Sequence, residues 1–357
     1  MKNILVVDDS ALMRRVLCDI IDHDERFQVA DRATNGQEAL ELLQKKKYDA
    51  VVLDVNMPVM DGLSLLKELQ RRKISAKVMM ASTDTKEGAK TTLDALELGA
   101  LDFVHKPVNA LSCREEMFKT RMLDTLEAVA SGRPPSFGKT FTLEGIQTSK
   151  KIVEIVHKHA SEITGNRVVA IASSTGGPKA LQSVIPRLPK NLKAPVLIVQ
   201  HMPAGFTASF AERLNTLSEL EVKEAEEGDV LRPGYVYLAR GGQHMNVQTR
   251  AGGKCTIHYS DEPPREGVKP CANYMYESLT GSPYDEVVCV VMTGMGADGT
   301  KGIQNLAATK KVHIIAQEQS TCAVYGMPKS IVATGMANQV VPLEQIAQEI
   351  ILNVGVK

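Results

Sequence analysis

Neither sign of charge prevails in this chain: across 357 residues, Lys and Arg total 42 and Asp and Glu total 42. Such a balance offers no field to draw nucleic acid or an anionic membrane surface. Long hydrophobic runs are also missing. Although 43% of residues are hydrophobic, no apolar stretch approaches the ~18 residues that suggest a membrane span. The N-terminus enters a strand directly, without a secretory pattern, so a cytoplasmic location is expected. Cysteine is sparse and unpatterned: Cys18, Cys113, Cys255, Cys271, Cys289 and Cys322 form no CxxC or metal-type spacing. In a reducing compartment they read as free thiols, with Cys289 in the core of an apolar strand. The remaining composition is that of a soluble globular protein with room for two ordinary domains.

What is present is alternation. Apolar runs at residues 4–7, 50–53 and 78–81 are separated by segments of helical period at 11–21, 37–44 and 63–71. Short buried strands alternating with helices make a parallel sheet covered on both faces. In such a sheet the ligand crevice lies at the carboxyl ends of the strands. Asp8 and Asp9 end the first run and Asp54 ends the second. Each alone reads as a turn or cap residue. Together, three carboxylates at neighbouring strand ends repel one another unless a cation sits among them, and hard oxygen donors suit Mg²⁺. Lys106, before Pro107, and Ser82, after the third run, add a counter-charge and a hydroxyl. That set is what a phosphoryl-accepting aspartate needs.

Over roughly its first 125 residues the chain resembles response-regulator receiver domains. The matching stretches are Ile4-Leu5-Val6-Val7-Asp8-Asp9-Ser10, Asp54-Val55-Asn56-Met57-Pro58-Val59-Met60-Asp61-Gly62 and Gly99-Ala100-Leu101-Asp102-Phe103-Val104-His105-Lys106-Pro107. The resemblance implies a flavodoxin-like fold with a five-stranded parallel sheet and Asp54 as phosphoacceptor. It also implies Asp8, Asp9 and Asp54 with the Asn56 carbonyl as Mg²⁺ ligands, Lys106 as phosphate partner, and Ser82 and Phe103 as the switch pair.

After a last helix near 113–130 the pattern breaks at Ser131-Gly132-Arg133-Pro134-Pro135-Ser136-Phe137-Gly138-Lys139, whose Pro, Gly and Ser content reads as linker. Residues 150–163 regain helical period with little apolar mass. Their His157 and His159 read as part of a solvated connector rather than as a metal pair. The expected organisation is a domain at 1–125, a linker at 126–166 and a second domain at 167–357. In the second domain, runs at 168–172, 196–199, 287–292 and 312–316 imply a mostly parallel α/β sheet, with an antiparallel section near 230–258.

The run at 168–172 leads into Ser173-Ser174-Thr175-Gly176-Gly177-Pro178. Two glycines permit a tight turn, Pro178 is suited to open a helix, and a Ser there lies near N–H groups that stabilise an anion. An ordinary capping Ser would look the same. Two further strand ends shift the balance, since His201 follows the run at 196–199 and Asp298 lies just beyond the run at 287–292. Ser, His and Asp at one sheet edge can act as nucleophile, base and orienter, in a chain order unlike that of α/β-hydrolases. A competing pattern is Gly294-Met295-Gly296-Ala297-Asp298-Gly299, a literal GxGxxG with Glu318 about 20 residues on. Its internal Asp would repel a pyrophosphate, which argues against a dinucleotide-dependent oxidoreductase.

From about Arg167 to Asn353 the chain is similar to chemotaxis protein-glutamate methylesterases. The similarity rests on Ser174-Thr175-Gly176-Gly177, Gln200-His201-Met202-Pro203-Ala204-Gly205-Phe206-Thr207, Ser209-Phe210-Ala211-Glu212-Arg213-Leu214 and Thr293-Gly294-Met295-Gly296-Ala297-Asp298-Gly299. It implies Ser174 as nucleophile, His201 as base, Asp298 as orienter and an oxyanion region near Thr175 and Met295, with no cofactor in this domain. Ser173 is a rival by eye, and the alignment selects Ser174. Ala172 replaces a customary Gly. Lys269-Pro270-Cys271-Ala272-Asn273 stands where the family usually has Arg-Pro-Ser-Val-Asp. His244 reads as a structural or groove residue. The implied function is a phosphorylation-activated hydrolase that demethylates receptor glutamate esters and deamidates glutamines. A histidine kinase would be the phosphodonor and chemoreceptors the substrates. A phospho-switched binding module without catalysis is the alternative.

Overall fold

The computed structural model describes residues 1–83, 86–107, 113, 115–134 and 165–357. His157, His159 and most of the expected linker lie outside them. The chain divides into two compact units, Met1–Lys139 and Thr140–Lys357.

The first unit alternates β1 (Lys2–Val7), α1 (Ala11–Asp22), β2 (Phe27–Ala33), α2 (Gly36–Lys45), β3 (Ala50–Asp54), α3 (Gly62–Arg71), β4 (Val78–Thr83), α4 (Lys86–Glu97), β5 (Asp102–Lys106) and α5 (Glu116–Ser131). Its sheet has the order β2-β1-β3-β4-β5, and every pairing is parallel. The apolar runs at 4–7 and 50–53 are fully buried, as central strands require, whereas along β2, at the sheet edge, exposed residues alternate with more buried ones. Side chains set the helix starts: Asn35 accepts from the Glu38 N–H at 3.0 Å and Asp61 from the Ser64 N–H at 2.6 Å. Residues 126–131, assigned by the sequence to the linker, continue α5.

The second unit contains β6 (Arg167–Ser173), α6 (Gly177–Val184), β7 (Val196–Gln200), α7 (Phe206–Leu217), β8 (Glu221–Glu224), β9 (Tyr235–Leu238), β10 (His244–Thr249), β11 (Cys255–Ser260) and α8 (Ala272–Ser278). It ends with β12 (Glu286–Val291), α9 (Thr300–Ala307), β13 (Lys311–Gln317), α10 (Met327–Ala333), β14 (Gln339–Val341) and α11 (Leu343–Val354). Seven strands form one sheet in the order β14-β13-β12-β6-β7-β9-β8, parallel throughout. The section expected to be antiparallel divides in two. Tyr235–Leu238 joins the parallel sheet, and only β10 and β11 form an antiparallel hairpin of their own. Val168, Ala170, Ala172, Cys289, Val291 and Tyr276 lie in one buried core. All six cysteines are free and buried.

Register explains the placement of chemistry. Ala172 on β6 pairs with Val291 on β12 and with Val199 on β7. Three adjacent central strands therefore end level, and the loops that follow them carry Ser174, His201 and Asp298.

Candidate functional site

In the first unit Asp8 follows β1 and Asp54 ends β3, on neighbouring strands at the carboxyl edge. Lys106 ends β5. Its ammonium donates to Asp8 Oδ2 at 2.9 Å and to Asp54 Oδ1 at 2.6 Å. All three are buried, while Asp9 is exposed at the rim. One carboxylate oxygen from each of Asp8, Asp9 and Asp54 lies within 4.8 Å of the others. Burial pushes the Asp54 carboxyl above its ordinary range against the pull of Lys106. Burial also opposes the Lys106 charge, yet Asp54 and Asp8 together hold it above its usual value. The convergence of hard oxygen donors, one of them open to solvent, fits a divalent cation. Asn56 is exposed, and Ser82 and Phe103 are buried on β4 and β5. Ala81 pairs with Asp54, so Ser82 stands one residue beyond the acidic position on the adjacent strand. Gly62 permits this loop to close, since a Cβ there would lie 2.4 Å from the Asp54 carbonyl oxygen.

In the second unit Ser174 is partly exposed at the end of β6, and Ser173 is fully buried. The Ser173 hydroxyl donates to Gln200 Oε1 at 2.8 Å, so it is already engaged. Gln200 Nε2 in turn donates to the carbonyls of Ser174 (3.0 Å) and His201 (3.1 Å). One buried amide thus ties the candidate nucleophile to the candidate base. His201 Nε2 lies 2.7 Å from Asp298 Oδ2, which leaves Nδ1 as the ring nitrogen able to take a proton. No hydrogen bond joins the His201 ring to the Ser174 hydroxyl, a contact that often tightens only when substrate is bound.

Asp298 is held from several directions. Oδ1 accepts from the N–H groups of Asn273 (2.9 Å) and Gly299 (2.8 Å) and from the Cys271 thiol (3.0 Å), and Oδ2 accepts from the Ala272 N–H (2.6 Å). Burial works against the charge, but His201, Cys271 and the Ala272 amide outweigh it and bring the carboxyl down to about 2. The GxGxxG turn therefore presents Asp298 to His201, with a buried negative charge where a pyrophosphate would need donors. Thr175 is buried and its carbonyl accepts from the Thr293 hydroxyl at 2.9 Å; Met295 is 39% exposed. Gly294 allows the β12 loop to reach the Ser174 backbone, since a Cβ there would lie 2.8 Å from the Ser174 Cβ and 2.4 Å from the Met327 sulfur. His244 is fully buried, accepts from the Cys271 N–H at Nδ1 (3.2 Å) and donates from Nε2 to the Pro263 carbonyl (3.2 Å). Burial lowers its pKa and keeps the ring neutral.

Sequence reasoning missed Gln200, Thr293 and Cys271. A polar residue closing an apolar strand was the available signal for Gln200. For Cys271 the signal was its place in the stretch that departs from the family pattern.

Comparison with known proteins agrees with this geometry. The family model described as CheB methylesterase matches residues 169–350, and that of the response regulator receiver domain matches residues 4–117. A protein-glutamate methylesterase/protein-glutamine glutaminase of Syntrophomonas wolfei is 41% identical over 355 residues, covering 98% of each chain. One from Bacillus subtilis is 38% identical, again with 98% of each chain covered. The crystal structure of the Thermotoga maritima CheB methylesterase catalytic domain matches with a TM-score of 0.50 and 40% identity, over 53% of this chain and 98% of that one. With both domains matched and relatives similar from end to end, this chain belongs to the CheB methylesterase family.

Proposed function

We propose that the protein is a phosphorylation-gated protein-glutamate methylesterase and protein-glutamine glutaminase. It would act in the cytoplasm on chemoreceptors, with a histidine kinase as phosphodonor. Consistent with that location, no helix among the described residues is long and apolar enough to cross a membrane. The domains are a receiver through the end of α5 at Ser131, a linker from there to about 166 and a catalytic domain at 167–357. The observation that carries the reading is the His201–Asp298 pair one strand end away from a partly exposed Ser174, with the rival Ser173 hydroxyl engaged by Gln200.

Ser174 Oγ attacks the γ-carbonyl of a glutamyl methyl ester while His201 Nδ1 takes its proton. The developing imidazolium is stabilised through Nε2–H by Asp298, whose low pKa keeps it ionised throughout. Backbone groups near Thr175 and Met295 face the oxyanion. His201 then returns the proton to the departing methanol, or to ammonia when the substrate is a glutamine. Water, deprotonated by the same ring, hydrolyses the acyl-enzyme. In the receiver, the Asp8, Asp9 and Asp54 carboxylates and the Asn56 carbonyl would hold Mg²⁺, which when bound screens the charge of an incoming phosphoryl group. Asp54 accepts that group, Lys106 pairs with it, and Ser82 and Phe103 respond. Methanol release from methylated receptor membranes, with and without a small phosphodonor, tests the proposal. Release is expected from the native protein, rising with phosphodonor, and none from Ser174→Ala.

A further inference from the structure

We propose that Cys271 is a positioning residue of the esterase, its thiol fixing the plane of the Asp298 carboxylate and through it the His201 ring. This rests on the His201–Asp298 reading above. Cys271 is fully buried at the start of α8, and its Sγ lies 3.0 Å from Asp298 Oδ1. The next two residues donate their N–H groups to the same carboxylate. Oδ1 thereby receives three donors and Oδ2 receives Ala272 and His201, more than the roughly four lone-pair sites a carboxylate offers. With its acceptor capacity filled, the carboxylate has no freedom to rotate away from the imidazole.

The thiol's share can be separated from that of the backbone. The Cys271 N–H is anchored independently on His244 Nδ1, so changing the side chain leaves the start of α8 in place. Burial, and then the Asp298 charge, pushes the Cys271 pKa far above its ordinary value. The group is thus a protonated donor at every working pH. Removing that donor leaves Asp298 more basic. The carboxylate then holds the shared Nε2 proton harder, and His201 becomes free to act as base only at higher pH. A side chain that merely filled space would alter stability without moving that limb of the pH profile.

The test measures methanol release by the full chain at saturating phosphodonor. Cys271→Ala is expected to lower kcat about tenfold, the effect of losing one hydrogen bond to a charged group, with KM unchanged and the acid limb of the kcat profile displaced upward. Cys271→Ser keeps a donor and should recover most of kcat and the original limb. A Cys271→Ala enzyme with native kcat and an unmoved limb overturns the proposal, and so does an equal loss in the alanine and serine variants. An inactive native protein would instead count against the proposed function. Infrared difference spectra of native protein against Cys271→Ser decide the bond itself, even if Cys271→Ala fails to fold. A thiol stretch displaced to low frequency supports it, and a free-thiol position overturns it.

Discussion

Asp54 and Asp298 are both aspartates, both buried at the carboxyl edge of a parallel sheet, and their carboxyls are displaced in opposite directions. Asp54 is raised by burial, with the Lys106 ammonium and the Val55 amide donating to it. Asp298, 2% exposed, is lowered to about 2 because five donors surround it. Burial alone therefore does not decide the state of a carboxylate; the number of groups donating to it does. The difference suits the two proposed tasks. The carboxylate proposed to accept a phosphoryl group has few donors, whereas the one proposed to orient a base has its lone pairs engaged.

The largest effects should fall on the engaged site. Ser174→Ala should reduce methanol release by several orders of magnitude, because triad residues act as a unit. Ser173→Ala breaks only the bond to Gln200 and should retain much of the activity. If Ser173→Ala were the inactive variant, the nucleophile would lie one residue earlier. Asp298→Asn comes next, with a loss of roughly 10³–10⁴-fold, since an amide cannot fix the His201 tautomer. Activity within tenfold of native would show that the ring is oriented by something else.

These sites differed in how legible they were. Buried parallel strands leave near-continuous apolar runs, so β1, β3, β6, β7 and β12 stood out, and the chemistry at their ends came with them. The hairpin was harder to delimit, because β9 reads like a hairpin strand until its pairing with β7 and β8 is known. The donors around Asp298 were invisible for another reason. They are backbone N–H groups of residues 272, 273 and 299 and one thiol, brought together only when α8 packs near the β12 loop. Cys271 was noted as a departure from the family pattern, and its bond to Asp298 depends on that long-range packing.

A smaller effect joins signal to catalysis. Asp54→Asn should abolish Mg²⁺-dependent incorporation of phosphate and the response to phosphodonor while sparing basal methanol release. If the unphosphorylated receiver restrains the catalytic domain, a fragment of residues 167–357 should exceed the unphosphorylated full chain by roughly 5- to 150-fold, the usual range for coupling between sites. It should also ignore phosphodonor. A folded fragment no faster than the full chain would mean that the receiver activates directly instead of restraining.

The smallest expected effect tests the contrast between the aspartates most directly, through stability. Its donors hold the Asp298 carboxyl well below the ordinary carboxylate range, at about 2 in the fold. Its ionised form therefore stabilises the fold above pH ~4, and this contribution is lost as pH falls through about 2. A shift of that size corresponds to on the order of 2 kcal/mol. Asp54 has the opposite sign. Its folded pKa is raised, so it contributes nothing adverse at low pH and opposes folding increasingly as pH climbs from the ordinary carboxyl range to the raised folded value, above which the penalty is constant. In urea unfolding at pH 7, Asp298→Asn should destabilise the catalytic unit and Asp54→Asn should stabilise the receiver unit, and both differences should shrink toward pH 2. Removing the Asp54 charge still leaves Lys106 paired with Asp8 at 2.9 Å, so the stabilisation should survive the loss of one partner. Variants that moved in the same direction would show that donor count is not what separates the two carboxylates.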